Sequence, residues 1–329
     1  MSDVHEYEVV VVGAGPAGMT AAMYAGRSML RTAILERGAS GGELLNTETI
    51  EDYPGFEHVK GWELAEKFES HAKKFGAEFH QRTATSVRKL ETGGFETKCD
   101  DGTVYLSPTV IVTAGGTPIK LGVPGEVESA GKGVSYCAIC DGAFFKGHTI
   151  AVAGGGDAAV EEADFLTRYA EKVYLIHRRG ELRASKILQK RLFENPKVEV
   201  IWNTVVERIE GDTQGLMTGL RLRDVTTNAE RDLPATGIFI FIGFRPNTGI
   251  IDGHFEHDAM GYIVTDTNMH SSIPGLFAAG DLRAQLVRQV TTAVGDGTTA
   301  AIAAEKYLKA LHDGTGEEPV ILQSGGYAV

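Results

Sequence analysis

Two glycine-rich turns built to one plan constrain this chain more than any other feature. The first, Gly13-Ala14-Gly15-Pro16-Ala17-Gly18, follows an apolar run over 7–12, unbroken from Val9 on, and opens a small-residue stretch read as a helix over 19–28. A second strand over 31–35 then ends at Glu36, 18 residues after Gly18. An unbroken apolar run suits a strand buried on both faces of a parallel sheet. Gly13 permits a tight turn, Gly15 lets backbone approach a pyrophosphate, and Gly18 lets helix pack closely on strand. The helix N-terminus, with Pro16 and Ala17, offers free N–H groups to an anion, and Glu36 is placed to accept from ribose hydroxyls. The second turn, Gly154-Gly155-Gly156-Asp157-Ala158-Ala159, lies between an apolar strand over 149–153 and a helix over 158–169, with a strand over 172–177 beyond. This last strand ends in His177-Arg178-Arg179, with Arg183 four residues on, rather than in an acid. Guanidinium forks bind phosphate oxygens bidentately, so this ending suits the 2′-phosphate of NADPH over NADH. The alternative is a solvated basic loop. Two complete βαβ units predict an α/β chain of two Rossmann-like three-layer nucleotide-binding domains.

Between the two units stands Val134-Ser135-Tyr136-Cys137-Ala138-Ile139-Cys140-Asp141-Gly142. A CxxC holds two sulfurs within bridging reach, and its local field can lower one thiol's pKa. Asp141 follows directly, where a carboxyl could give or take the proton that thiol–disulfide exchange moves. A zinc half-site would need a second pair of ligands. The only other cysteine, Cys99, is distant and reads as structural or incidental.

Composition narrows the function classes. The 329 residues are enough for two domains, and 43% hydrophobic with 23% charged residues is ordinary for a globular chain. A net charge of −12 argues against nucleic acid as the main partner. Three cysteines fit a reducing compartment with a catalytic pair rather than a secreted disulfide scaffold. No signal peptide is visible, and no apolar run reaches the roughly 20 residues that span a bilayer. The expected location is cytoplasmic.

The rest of the chain reads less sharply. Segments 41–45 and 51–56 look like Gly- and Pro-punctuated loops, 64–75 like an amphipathic helix, and 79–98 like short antiparallel strands. An apolar strand is expected over 104–113, alternation over 203–233, and another apolar strand over 237–243. Segment 276–281 reads as a strand ending in Gly280-Asp281, where a carboxylate can hold a cofactor hydroxyl. It is followed by Arg288-Gln289-Val290 and a helix over 291–310, whose N-terminus can stabilise partial negative charge on a heterocycle. The Gly-rich tail over 313–329 is expected to be disordered unless docked.

Two dinucleotide units and one dithiol specify an electron path. A nicotinamide gives two electrons as hydride, a disulfide is best reduced through a nucleophilic adduct, and a flavin can connect the two. Together the motifs resemble the low-molecular-weight, bacterial-type thioredoxin reductases over about 5–311. The resemblance rests on GAGPAG at 13–18, GGELL at 41–45, EDYPG at 51–55, CAICD at 137–141, GGGDAAVEEA at 154–163, HRRGELRA at 177–184, FIGFRPNT at 241–248 and AAGD…RQ at 278–289. It implies a discontinuous FAD domain, 1–119 with 247–329, and an inserted NADPH domain, 120–246, carrying the dithiol. FAD would be held by Gly13, Gly15, Pro16, Ala17, Gly18, Glu36, Gly42, Glu43, Leu44, Asp52, Gly280, Asp281, Arg288, Gln289 and Val290. NADPH would be held by Gly154, Gly156, Asp157, Ala158, His177, Arg178, Arg179 and Arg183. Cys140 would make the thiolate–flavin contact and adduct, Cys137 would attack the disulfide of thioredoxin or a thioredoxin-like protein, and Asp141 would be the acid/base. The resemblance also implies a homodimer, and two domain orientations exchanged through hinges near 117–120 and 245–248.

Some residues depart from the family pattern. Glu43 stands where the family usually has Gln, and Asp52 where Asn is common. If both are ionised, the added negative charge should lower the flavin potential. The tail is longer than in simple members, and Tyr327 could stack over a flavin or nicotinamide site, as C-terminal aromatics do in some relatives. Three other functions are compatible with the motifs. They are reduction of another dithiol carrier or use of another electron donor, a dithiol oxidase passing electrons to oxygen, and a flavoprotein redox sensor with regulatory cysteines. Oxidase relatives tend to lose the arginine cluster kept here, and a sensor would be indifferent to loss of the NADPH site. A ferredoxin–NADP reductase of related fold would lack the CxxC.

Overall fold

In the computed structural model, which describes residues 3–47 and 49–314, the chain divides into two compact units. One comprises the residues up to Gly116 and from Arg245 onward, the other Thr117–Phe244. The helices are α1 (Pro16–Arg27), α2 (Gly61–Lys74), α3 (Ala138–Asp141), α4 (Asp157–Leu166), α5 (Lys186–Glu194) and α6 (Val290–His312). Tyr327 and the rest of the tail beyond Gly314 lie outside the described residues.

The first unit is built on a parallel five-stranded sheet. Its order is Leu276–Ala278, Thr109–Val112, Val9–Val12, Thr32–Glu36, Glu78–Gln81. Val9–Val12 is buried throughout, as its unbroken apolar run requires. In register, Val12 stands opposite both Leu35 and Val112, and Val112 opposite Ala278. Gly13, Glu36 and Gly280 therefore all lie at the carboxyl edge of one sheet, where ligands bind in open α/β sheets. Helices α1 and α6 share a core with Val9, Val11, Ile34, Ile111 and Phe277, through Met19, Ala21, Ala300 and Ala304. A second, four-stranded sheet runs Val4–Glu6, Val104–Ser107, Phe95–Cys99, Ala84–Lys89.

The apolar run over 104–113 is two strands, not one. Pro108, with no N–H for the ladder, stands between Val104–Ser107 and Thr109–Val112, which join different sheets. Cys99 ends Phe95–Cys99 and is buried, which pushes its thiol up to about 11, with Asp101 and Asp100 adding to the effect. A thiol so placed is inert at neutral pH.

The second unit repeats the plan. Its parallel sheet runs Val134–Ser135, Gly237–Phe241, Thr149–Gly154, Lys172–Ile176, Val198–Ile201, beside an antiparallel sheet of Thr204–Gly211, Met217–Asp224 and Glu230–Pro234. Ala153 pairs with Ile176 and Ile240, so the second glycine turn and His177 leave the same sheet edge. Helix α4 stops at Leu166, earlier than the predicted 169. The elements not anticipated include the 3-10 helix Gly42–Asn46, helix α3 inside the CxxC, and helix α5 after the arginines.

Candidate nucleotide and dithiol sites

In the first unit the glycine turn is shaped by what surrounds it. Gly13 has φ +106°, and a Cβ there would sit 2.6 Å from the Thr113 carbonyl oxygen. A Cβ on Gly18 would fall 1.9 Å from the Gly13 carbonyl, so any larger residue would push α1 off the strand. Thr113 Oγ1 donates to the Gly13 carbonyl at 2.7 Å and locks the turn, a role the sequence did not reveal. Gly15 caps α1 without a side-chain bond, and Pro16 follows at the first turn, where its missing N–H costs nothing. Around the Cβ position of Gly15 nothing lies within 4 Å, which leaves the backbone open to a ligand.

Other segments converge on this turn. Gly41 N donates to the Ala14 carbonyl at 2.7 Å, and a Cβ on Gly42 would meet the Gly15 Cα at 3.2 Å. A Cβ on Gly280 would sit 2.9 Å from the Ala17 Cβ, and one on Gly297 2.2 Å from the Ala17 carbonyl. Gly13–Gly18, Gly41–Gly42, Gly280 and the N-terminal half of α6 are therefore one cluster. Leu44 is buried in a group that Val290 also joins. Gln289 forms a capping box with Thr292 at the start of α6.

The carboxylates here divide by task. Glu36 accepts from Ala14 N (2.8 Å) and Gly38 N (3.1 Å), which leaves further lone pairs for a hydroxyl. Burial pushes the Glu43 carboxyl up, against an Asn46 hydrogen bond and the Arg37 charge. It pushes Asp281 up as well, with Arg288 opposing and Glu43 and Asp296 adding. Yet Glu43 is solvent-accessible and Asp281 partly so. Groups that protein surrounds but solvent still reaches line a concave surface. Arg288 donates to the Asp281 carbonyl at 3.2 Å and lies over the Tyr262 ring at 4.0 Å. Asp52 sits apart, exposed in the bend at 51–55. An uncapped helix N-terminus, a bare glycine backbone and hydroxyl-accepting carboxylates fit the pyrophosphate and sugar of a dinucleotide.

Asp296 is the site-supporting residue the sequence reading missed. It is 8% exposed, accepts from Gly280 N at 3.1 Å and lies 3.5 Å from Arg283 Nε. The available signal was an acid in the otherwise small-residue first half of α6.

In the second unit, Gly156 caps α4 without a side-chain bond and again has nothing within 4 Å of its Cβ position. A Cβ on Gly154 would meet the Ala159 Cβ at 2.4 Å. Asp157 and Ala158 open α4, with Asp157 Oδ1 accepting from Ser185 N at 2.6 Å. Arg178, Arg179 and Arg183 are exposed, and none is ion-paired among the described residues. Three unpaired guanidiniums beside an open helix N-terminus are a donor set for a phosphorylated nucleotide. His177 differs from them: it is 6% exposed, and both its ring nitrogens face backbone carbonyls.

The same unit carries the dithiol. Cys137 and Cys140 are joined as a disulfide at the start of α3. Cys140 is exposed and Cys137 partly buried, and Cys140 N donates to Cys137 Sγ at 3.2 Å. Ser135 Oγ accepts from Cys137 N (3.1 Å) and donates to the Cys137 carbonyl (3.2 Å), fixing the approach to the motif. Glu126, 3% exposed, accepts from Leu121 N (2.9 Å), Gly122 N (2.6 Å) and the Tyr136 hydroxyl (2.5 Å). It ties the segment entering this unit to the residue before Cys137. Burial and the Glu126 contact push the Tyr136 phenol up, so it stays a donor. Asp141 is partly buried beside Cys140.

Comparison with known proteins agrees with this geometry. The pyridine nucleotide-disulphide oxidoreductase family profile matches residues 7–297. The thioredoxin reductase of Listeria monocytogenes is 46% identical over 307 residues, 93% of this chain and 95% of that one. That of Bacillus subtilis is 44% identical over 313 residues, 95% and 98% of the two chains. The crystal structure of Lactococcus lactis thioredoxin reductase matches with a TM-score of 0.89 at 42% identity, covering 92% of this chain and 99% of that one. With two glycine-turn cradles, a CxxC disulfide and these likenesses along nearly its whole length, the chain belongs to the pyridine nucleotide-disulphide oxidoreductase family, in its low-molecular-weight thioredoxin reductase branch.

Proposed function

We propose that this protein is an NADPH-dependent thioredoxin-disulfide reductase that passes electrons through FAD and the Cys137–Cys140 disulfide to thioredoxin or a thioredoxin-like protein. The observation that carries this reading is the Cys137–Cys140 disulfide, exposed at Cys140, on the unit that also holds three unpaired arginines beside a glycine turn. FAD is assigned to the first unit, on Gly13–Gly18, Glu36, Gly42–Leu44, Gly280–Asp281 and Arg288–Val290, with Asp52 at its margin. NADPH is assigned to the turn Gly154–Ala158 and to Arg178, Arg179 and Arg183. The FAD domain is taken as 1–119 with 247–329 and the NADPH domain as 120–246. When bound, the nicotinamide and flavin supply hydride chemistry and its conversion to disulfide reduction.

The chain's own residues carry the second half. In the reduced state the Cys137 thiolate attacks one sulfur of the partner's disulfide, and the other partner sulfur leaves as thiolate, taking a proton. The Cys140 thiolate then attacks Cys137 Sγ, the partner's second thiol leaves, and the Cys137–Cys140 bond re-forms. Two electrons and two protons reach the partner. Asp141 hands over the proton for the leaving sulfur. Backbone N–H donation from Cys140 to Cys137 Sγ stabilises a thiolate there. The segments 117–120 and 245–248 would act as hinges between two domain orientations. Among the described residues no helix is long and apolar enough to cross a membrane. A cytoplasmic homodimer without nucleic-acid partners completes the reading.

The test is a coupled assay of NADPH oxidation with oxidised thioredoxin in the holoenzyme and in Cys137→Ser and Cys140→Ser. Turnover in the wild type and loss in both variants is expected. Thioredoxin reduction that survives either substitution would remove the dithiol from the path.

A further inference from the structure

The residue before Cys137 is moored to a fixed point ten positions back. Tyr136, Leu121 and Val123 all pack on the core that holds Val134, Met217 and Leu220. The Tyr136 hydroxyl donates to Glu126 Oε1, and the same carboxylate accepts from Leu121 N on Oε1 and from Gly122 N on Oε2. The loop that carries Glu126 is itself held down. The Pro124 carbonyl accepts from Ile209 N at 2.9 Å, and a Cβ on Gly125 would sit 1.9 Å from the Ile209 carbonyl oxygen. On the other flank, Ser135 Oγ brackets Cys137 through its N–H and its carbonyl.

Glu126 is 3% exposed, and among the described residues no ion pair balances it. Burying a carboxylate without a cation stabilises a fold less than an apolar side chain of the same volume would. What the carboxylate adds is a point where donors from two segments meet, the entry at 121–122 and Tyr136. Cys140 rides on α3, whose N-cap is Cys137. A swing of 136–137 would therefore move one sulfur while the other stays with the helix. Attack of Cys140 on a mixed disulfide at Cys137 depends on how closely the two sulfurs are held, which is an effective concentration.

We propose that Glu126 and Tyr136 are positioning residues: their hydrogen bond holds Cys137 Sγ within reach of Cys140 and so sets how fully a mixed disulfide at Cys137 resolves to the Cys137–Cys140 bond. The proposal rests on the assignment of Cys137 as the attacking and Cys140 as the resolving thiol. With glutathione as the probe, the Cys140 thiolate attacks Cys137 Sγ and the bond from Cys137 to glutathione breaks. Glutathione leaves as a thiolate and takes a proton, so the exchange needs no further oxidant or reductant.

The experiment is anaerobic equilibration of the holoenzyme in glutathione buffers of fixed ratio, followed by acid quench, alkylation and mass spectrometry of the peptide bearing both cysteines. Tyr136→Phe removes only the hydroxyl, and Tyr136→Met takes its place should that variant not fold. The ratio of Cys137–glutathione to the Cys137–Cys140 bond is expected to rise about fivefold, the worth of about one net hydrogen bond. Glu126→Gln should raise it too, and adding Tyr136→Phe to that variant should raise it no further, because both act through one contact. A ratio equal to wild type, even with a lowered melting temperature, would make the pair structural only and overturn the proposal. Glutathione found on Cys140 rather than Cys137 would bring down the assigned roles, and this proposal with them. The exchange is read without thioredoxin, so a wild type that failed to reduce thioredoxin would remove the proposed function and leave this inference standing on its own ratio.

Discussion

Asp296 offers the sharpest test of how the proposed flavin cradle is held. Its carboxylate is the acceptor for Gly280 N and the partner of Arg283, whose side chain is 13% exposed. Gly280 has φ +81°, so the turn that places Asp281 needs holding. Breaking a buried ion pair from one side costs about 3–5 kcal/mol, because the remaining charge is left uncompensated. The 3.5 Å separation and residual exposure put this pair at the lower end. With the orphaned amide, Asp296→Ala should lose about 4 kcal/mol. At about 2–4 °C per kcal/mol for a unit of this size, the melting temperature should fall by about 10 °C. The loosened turn should also release FAD during gel filtration. Arg283→Leu combined with Asp296→Leu removes both charges and should recover much of the melting temperature. The assays are thermal melts and flavin absorbance of the eluted holoprotein. A melt for Asp296→Ala within about 1 °C of wild type, or a double variant no better than Asp296→Ala, would refute the reasoning.

Three further outcomes are expected. Replacing both Arg178 and Arg179 by Ala breaks no ion pair, so stability should hold. NADPH affinity should drop about 100-fold, at about 1.5 kcal/mol for each exposed guanidinium–phosphate contact, and equal loss for NADH in binding titrations would exclude a 2′-phosphate site. Burial raises the Glu43, Asp281 and Asp296 carboxyls, so the folded protein binds these protons more tightly than the unfolded chain. Their contribution is full below the unfolded-state value of about 4 and is lost as pH rises through the folded values. Glu43→Gln should therefore flatten the fall in denaturant midpoint on going from acid to neutral pH, and raise the flavin midpoint potential in a redox titration; an unchanged slope and potential would remove both claims. Gly18→Ala places a Cβ 1.9 Å from the Gly13 carbonyl, so it should yield FAD-depleted protein by flavin absorbance, whereas full FAD occupancy would mean that α1 can shift without loss.

The cradles were legible because their demands are local. At Gly13 and Gly18 the backbone approaches too closely for any side chain, and the strand runs around them are apolar throughout. The dithiol was legible as spacing, but not helix α3, which is four residues long and too short to leave a periodicity. Helix α5 was missed for a related reason: it is nine residues long, and of its apolar residues only Leu192 is buried. Other features depend on partners distant in sequence. Thr113 locks Gly13 from 100 residues away, and Asp296 reaches Gly280 across a turn. Among the basic residues after the strand Lys172–Ile176, sequence could not separate His177, which faces inward, from the arginines, which face solvent. Asp52, grouped with Glu43 by resemblance, lies exposed in the bend at 51–55, whereas protein surrounds the Glu43 carboxyl and pushes it up, so the influence of Asp52 on a bound cofactor should be the smaller of the two.

The central claim is that electrons from NADPH reach the Cys137–Cys140 disulfide through FAD. Its most direct test is anaerobic titration of the holoenzyme with NADPH and then NADH, following flavin absorbance, with alkylation and mass spectrometry of the cysteines afterwards. The account expects rapid bleaching by NADPH alone, two newly alkylated thiols at Cys137 and Cys140, and return of colour on adding oxidised thioredoxin. Bleaching without new thiols, or no bleaching by NADPH, would contradict it.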